Sequence, residues 1–220
     1  MSLPVTTVAS PAGKVAALRR FASKRTAAER CEICASELSC DHAHLFDIQK
    51  RLLVCACEAC MRTPALAEGS VLRRVPEQVR SLPGFHITDA QWQSLLIPID
   101  MAFFFKSSPQ ARVVAFYPSP AGAIESLLTL ETWAEVANDN SAISEMIPDV
   151  EALLVNRVGI ARGVTPEYYI VPIDQCYRLV GLIRAHWRGL SGGTEVWREI
   201  GSFFSALKDK STAPREAAHA

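Results

Sequence analysis

The sequence has no excess of charge of either sign. It contains 23 Lys and Arg residues and 23 Asp and Glu residues, so its formal net charge is zero. A neutral chain creates no overall field that would draw it to phosphate backbones or to anionic lipid. The composition therefore argues against a dedicated nucleic-acid-binding protein, and we expect no nucleic acid among its partners.

Long uninterrupted hydrophobic runs are also missing. The densest apolar stretch, residues 95–105, is broken by Pro98 and Asp100, and it is much shorter than the roughly 20 residues that a membrane-spanning helix needs. Residues 1–25 contain no continuous apolar segment of the kind found in secretory signals. We therefore predict a cytoplasmic protein with no membrane partner.

Cysteine is nearly absent outside one short segment. Six of the seven cysteines lie between Cys31 and Cys60, in CEICASELSCDHAHLFDIQKRLLVCACEAC. In a reducing compartment, clustered cysteines are metal ligands or redox thiols more often than structural disulfides. The rest of the composition, 49% hydrophobic and 21% charged over 220 residues, is that of an ordinary globular chain.

Four of these cysteines form two pairs with the same spacing. Cys31 and Cys34 make the first C-x-x-C, Cys57 and Cys60 make the second, and residues 35–56 separate them. Two thiolates at this spacing can approach one ion from a tight turn, and a hairpin between the pairs brings the second pair back to complete a tetrahedral shell. The spacing therefore predicts one metal ion bound by these four cysteines.

The identity of the ion is predicted from the residues around the thiolates. Tetrahedral sulfur sites hold zinc, a single iron or an iron–sulfur cluster. Rubredoxin-like turns normally place glycine or proline around the cysteines, whereas the two pairs here read CEICA and CEACM. We therefore predict zinc, with iron or an iron–sulfur cluster as the alternative.

Three further residues in the segment are candidate ligands. Cys55 precedes Cys57 by two residues, and His42 and His44 have the same separation, so each pair would point to one side of a strand. Any of the three could replace one of the four cysteines in the shell. The preferred interpretation is that they support the ligands or pack beside them.

The remaining chain predicts an α+β fold. Strands occur in adjacent pairs and helices mostly late, which favours an antiparallel sheet of about four strands with helices packed on one face. We predict five segments: an N-terminal arm and helix (1–30), a four-cysteine metal-binding module (31–62), a linker (63–84), an α+β domain (85–210) and a disordered tail (211–220). The domain is expected to bury a core separate from that of the module.

The cysteine segment is similar to the treble-clef nucleases of the HNH type. Those proteins combine C-x-x-C pairs with a His-His strand, and the resemblance would place a general base at His42 or His44. Here Ala43 separates the two histidines, and the residues after Cys60, MRTPALAE, contain no His or Asn to hold a catalytic ion. Nuclease activity is therefore the most distant alternative.

A second resemblance covers most of the chain. CEIC, HAHLFD, LLVCACEAC, TDAQW, IPIDMAFFF, VVAFYPSPAGAIES, PDVEALLVNR, PIDQCYRLVGLIRAHWRGLSGG and FFSAL resemble an uncharacterised bacterial family. Its members tend to be encoded beside nickel–iron hydrogenase genes. The resemblance implies an accessory protein whose partner is a hydrogenase subunit or a maturation factor, or a small carrier in its electron chain.

The sequence contains no complete set of nucleophile, base and oxyanion donors. A closed shell of four thiolates also lacks the open position that hydrolytic zinc keeps for water. We therefore expect a metal-binding adaptor that acts through a protein partner and is not an enzyme.

Overall fold

The computed structural model describes residues 29–63, 70–127 and 130–212. Residues 1–28 of the predicted N-terminal arm and helix, and 213–220 of the predicted tail, lie outside this description. Within the described ranges, no helix is both long and apolar enough to cross a membrane.

The cysteine segment folds around a small antiparallel sheet. Its strands are β1 (Ala43–Asp47), β2 (Leu52–Ala56) and β3 (Leu72–Arg74), in the order β2–β1–β3. A short helix, α1 (Glu58–Met61), follows β2. The predicted hairpin between the two cysteine pairs is confirmed, with His44 opposite Cys55 and Leu45 opposite Val54. The third strand comes from the segment predicted as a linker.

The larger sheet has six strands, all antiparallel to their neighbours, in the order β4–β9–β8–β5–β6–β7. They are β4 (Arg80–Ser81), β5 (Met101–Ser107), β6 (Arg112–Ser119), β7 (Gly122–Ser126), β8 (Glu151–Asn156) and β9 (Glu167–Pro172). The predicted α+β class with an antiparallel sheet is confirmed. The sheet has two strands more than the four or so predicted, and the two additional strands are the edges, β4 and β7.

Four helices accompany this sheet: α2 (Asp89–Ser94), α3 (Leu130–Asp139), α4 (Ile173–His186) and α5 (Gly193–Lys210). Two short 3₁₀ turns lie at Ser141–Glu145 and Ile160–Arg162. Thr88, followed by Gln91 three residues later, is the sequence pattern of a capping box, and the capping box is present at the start of α2. Helix α5 has apolar residues at helical spacing, and all of them are buried except Trp197, which is 44% exposed: Val196, Trp197, Ile200, Phe203, Phe204 and Leu207.

The helices cover both faces of the larger sheet. Phe103 and Phe105 belong to one cluster with the buried residues of α4 and α5. Phe104 belongs to the opposite cluster with Trp92 of α2 and Trp133 of α3. The prediction that helices pack on only one face of this sheet is therefore wrong. The first five residues of β5, MAFFF, are all apolar because alternate residues face two different cores.

The small sheet shares a core with the larger one. Phe46 of β1 is buried in the same cluster as Phe105, while Leu45, Ala56 and Met61 form a small cluster of their own. The expectation that the domain buries a core separate from the module is therefore wrong. The predicted segment boundaries themselves stay a prediction.

Candidate metal centre

The four cysteines of the two C-x-x-C pairs converge. The sulfurs of Cys31, Cys34, Cys57 and Cys60 all lie within 4.8 Å of one another, and those of Cys34 and Cys57 are 3.6 Å apart. A tetrahedral ion with metal–sulfur distances near ~2.3 Å needs sulfurs about 3.8 Å apart. The cluster has close to the spacing that one metal ion requires, although binding of an ion by these residues stays a prediction.

The first pair lies in a tight turn closed by its own backbone. The N–H of Ala35 donates to the carbonyl of Cys31 at 2.7 Å, and the N–H of Cys31 donates to the carbonyl of Ser36 at 2.8 Å. Ala35 adopts a left-handed conformation with φ of 62°, which is unusual for a residue with a side chain. This turn brings Cys31 and Cys34 to one side without the glycine that such turns usually contain.

The second pair lies at the start of α1. Cys57 occupies the N-cap position with extended backbone, and its carbonyl accepts from the N–H of Met61 at 3.0 Å. Cys60 is one helical turn further and is buried, so its sulfur returns to the same side as that of Cys57. The end of β2 and the beginning of α1 therefore position this pair.

Backbone N–H groups make some of the four thiols easier to ionise. Burial opposes ionisation of Cys31, yet N–H groups of Cys57, Cys34 and Ile33 point at its sulfur and lower its pKa to about 6. The N–H of Cys60 likewise lowers the pKa of Cys57. A hydrogen bond with Cys34 is the main cause that raises the pKa of Cys60 to about 12. A cation at the centre would favour thiolates, and its binding would therefore release protons.

The turn of the first cysteine pair is tied to the hairpin through Glu32. Its N–H donates to the carbonyl of Cys55 at 2.9 Å, and its side chain accepts from the N–H of Cys55 at 2.8 Å. The carboxylate also contributes to raising the pKa of the Cys55 thiol, after burial as the main cause. Glu32 thus holds the first cysteine turn against the edge strand β2.

The structure gathers the three additional candidates into a cluster of their own. One ring nitrogen from each of His42 and His44 and the sulfur of Cys55 lie within 4.8 Å of one another. The two rings have centroids 4.8 Å apart, and Cys55 is the cross-strand partner of His44. These residues therefore do not enter the four-sulfur group. Among the described residues, Cys40 belongs to neither cluster and is exposed.

Sequence reasoning missed one residue that contacts the second cluster. Asp174, in the first turn of α4, accepts a hydrogen bond from Nδ1 of His44 at 3.0 Å. This bond is the main cause that raises the pKa of His44 above its ordinary value. No local signal pairs two residues that lie 130 positions apart, because only the docking of β1 beside α4 brings them together.

Residues 30–211 match the model of a family described as being of unknown function, DUF5947. Because the match covers most of the chain, the protein belongs to this family. No curated protein and no solved structure matches the chain.

Proposed function

We propose that this member of the family is a zinc-binding accessory protein of a nickel–iron hydrogenase, acting in maturation or in function by binding a protein partner. The single observation that supports metal binding most strongly is the convergence of four thiol sulfurs within 4.8 Å. Thiolates are soft ligands, and four of them in tetrahedral arrangement favour zinc or iron over calcium or magnesium.

The chemistry of this donor set favours a structural or ion-holding role. Four protein sulfurs fill a tetrahedral shell, which leaves no position for a water molecule or a substrate. Cys31 and Cys60 are buried, and the turns that carry them are closed by short backbone hydrogen bonds. An ion here would hold the two turns together and so shape the surface around β2 and α1.

The hydrogenase context rests on the resemblance of the quoted motifs to the family encoded beside hydrogenase genes. A protein encoded there and built around a closed metal centre is suited to contact a hydrogenase subunit or a maturation factor. Action in the cytoplasm, where cofactors are assembled, belongs to the same proposal.

An electron carrier is the second candidate, and one observation favours it. Cys34 is exposed, and backbone N–H groups point at the sulfurs of Cys31 and Cys57. Hydrogen bonds to sulfur and solvent exposure are among the properties that set the reduction potential of iron–thiolate centres. If iron occupied the site, the exposed sulfur would offer a route for electron exchange.

Metal content and colour distinguish the two candidates. We expect protein purified without oxygen to contain zinc and to lack visible absorption. Iron in the same preparation, with a visible absorption that bleaches on reduction, would favour the electron carrier. Protein that retains no metal, whether it is purified with or without oxygen, would contradict both candidates.

Association with a hydrogenase is tested separately. Tagged protein expressed in its natural host should co-purify with a hydrogenase subunit or maturation factor, and deletion should reduce mature enzyme or electron flow from it. Cys57→Ser should weaken the association, whereas Cys40→Ser, at an exposed cysteine outside the cluster, should preserve it. Equal association of both variants would argue that the metal centre is not needed for partner binding.

A further inference from the structure

One ring nitrogen of His42 is buried. Its Nδ1 lies 2.9 Å from the carbonyl oxygen of Ser39, and a carbonyl only accepts, so Nδ1 carries the proton. Nε2 of the neutral ring therefore keeps its lone pair. The side chain is only 6% exposed, and Nε2 has no hydrogen-bond partner among the described residues. A buried acceptor has lost its hydration, and without another partner it destabilises the folded state.

His44 is held in the same tautomer by a different residue. Its Nδ1 donates to the carboxylate of Asp174 at 3.0 Å, which leaves the lone pair of the neutral ring on Nε2. Histidines that bind metals usually donate their other ring N–H to a carboxylate or a carbonyl, which fixes the ring and strengthens the ligand. Both arrangements are present here, with a carbonyl for His42 and a carboxylate for His44.

Cys55 supplies a third donor opposite His44. The hairpin register pairs these two residues directly, and one ring nitrogen of each histidine and the sulfur of Cys55 lie within 4.8 Å of one another. We propose that His42, His44 and Cys55 bind a second transition-metal ion, distinct from the one assigned to the four cysteines. Two imidazoles and one thiolate suit zinc or copper better than magnesium or calcium.

A cleft lies beside the two histidines. It has a volume of about 580 Å³, and His42, His44 and Asp174 line it. Its charged lining residues are five carboxylates and one amine: Glu37, Asp41, Glu58, Glu77, Asp174 and Lys210. This excess of negative charge favours the approach of a cation. Three protein ligands leave one position of a tetrahedral ion for water or for a donor from the cleft.

The second site goes beyond the proposed function, because it requires neither the hydrogenase nor a protein partner. It also differs in kind from the four-cysteine centre: four protein thiolates fill a tetrahedral shell, whereas three protein ligands leave one position of it unfilled. An ion here would exchange or bind an outside ligand more readily.

Metal counting tests the site in the full-length chain. We expect the chain, after metal removal and reloading with Zn²⁺, to retain about two ions, measured by mass spectrometry of the metal after desalting. His42→Ala and His44→Ala should each retain about one ion, with an unchanged far-UV circular dichroism spectrum. His86→Ala and Cys40→Ser, which change exposed residues outside both clusters, should retain two.

The variants separate failure of this site from failure of the four-cysteine centre. If the wild-type chain binds a single ion that Cys57→Ser loses and His42→Ala keeps, the second site is overturned and the first is intact. If instead His42→Ala loses that single ion and Cys57→Ser keeps it, the second site is supported and the first is contradicted.

Cobalt substitution provides a measurement that needs no variant. Sulfur-to-cobalt charge-transfer absorption scales with the number of thiolates, so a four-sulfur site and a site with one sulfur give different spectra. Titration of the wild-type protein with Co²⁺ should resolve two components, and a single component through saturation would contradict the proposal.

The role of Asp174 as a positioning residue is tested by affinity. Asp174→Asn should weaken zinc binding at the second site by about 10–100-fold, the usual effect of removing a carboxylate behind a histidine ligand, while the number of ions bound at saturation stays the same. Glu77→Gln removes the same charge from the cleft and should change the affinity much less. Equal effects of the two variants would mean that Asp174 contributes only its charge.

Discussion

The ring of Phe46 meets the ring of Phe105 edge-on, with centroids 6.4 Å apart. Phe46 belongs to the small sheet between the cysteine pairs, and Phe105 belongs to a central strand of the larger sheet. Tyr177 of α4 also packs against Phe46, at 5.9 Å between ring centroids. The hairpin that connects the two cysteine pairs is therefore anchored in the main core.

Truncation of this anchor should destabilise the whole protein. Phe46 is 1% exposed, and we expect Phe46→Ala to lower the free energy of unfolding by about 3–5 kcal/mol, since it leaves a cavity between two packed layers. Urea denaturation followed by far-UV circular dichroism measures this change.

Leu52→Ala is the matched control for the anchor. Leu52 lies on the same hairpin but is 56% exposed, so its truncation should change the free energy of unfolding by no more than about 0.5 kcal/mol. Similar losses of unfolding free energy in the two variants would mean that Phe46 does not anchor the hairpin in the main core.

Metal removal should loosen the two cysteine turns and leave the main core folded. Because Phe46 holds β1 in the main core, we expect chelation to increase hydrogen exchange at residues 31–36 and 57–63 and to leave 44–47 protected. The helical circular dichroism signal should persist, because α4 and α5 pack on the larger sheet. Loss of protection throughout the chain would show that the metal supports the entire fold.

The left-handed residue of the first turn should limit what can replace it. Ala35 has φ of 62°, a conformation that is especially costly for β-branched side chains. Ala35→Val should weaken metal binding at the four-cysteine centre, whereas Ala35→Gly should maintain or strengthen it. Competition with a chromogenic chelator measures both affinities, and equal affinities would contradict this account of the turn.

The tip of the hairpin has its own contact with the larger sheet. Arg51 forms an ion pair with Glu125 of β7 at 2.8 Å and lies over the ring of Phe116 at 5.3 Å. Since the pair is partly exposed, Arg51→Met should cost only about 1 kcal/mol of unfolding free energy.

Lys50→Met is the control for the tip. Lys50 is adjacent in sequence, its side chain is 74% exposed, and its ion pair with Asp47 is long at 3.7 Å, so its replacement should change the free energy of unfolding by no more than about 0.5 kcal/mol. High salt should reduce the difference between the two variants, because screening weakens the ion pair of Arg51. A difference that is insensitive to salt would assign the effect to packing on Phe116 alone.

Local features were predictable because each is contained within a few residues. The capping box at Thr88 and the spacing of the helical stripes appear in the sequence, and the structure confirms them. The edge strands β4 and β7 were not predictable. Arg80–Ser81 is only two residues long, and Gly122–Ser126 mixes small, apolar and charged residues.

By itself, the sequence determined the convergence of the cysteines and the α+β class. Two C-x-x-C pairs and a hairpin of matching length lie within thirty residues, so short-range geometry alone brings Cys31 and Cys60 into one cluster. Tertiary structure decided the rest: the pairing of His44 with Asp174, the burial of Phe46 against Phe105, and the covering of both faces of the larger sheet. Each of these joins residues far apart in the chain, and such contacts depend on how whole elements pack, which no local pattern encodes.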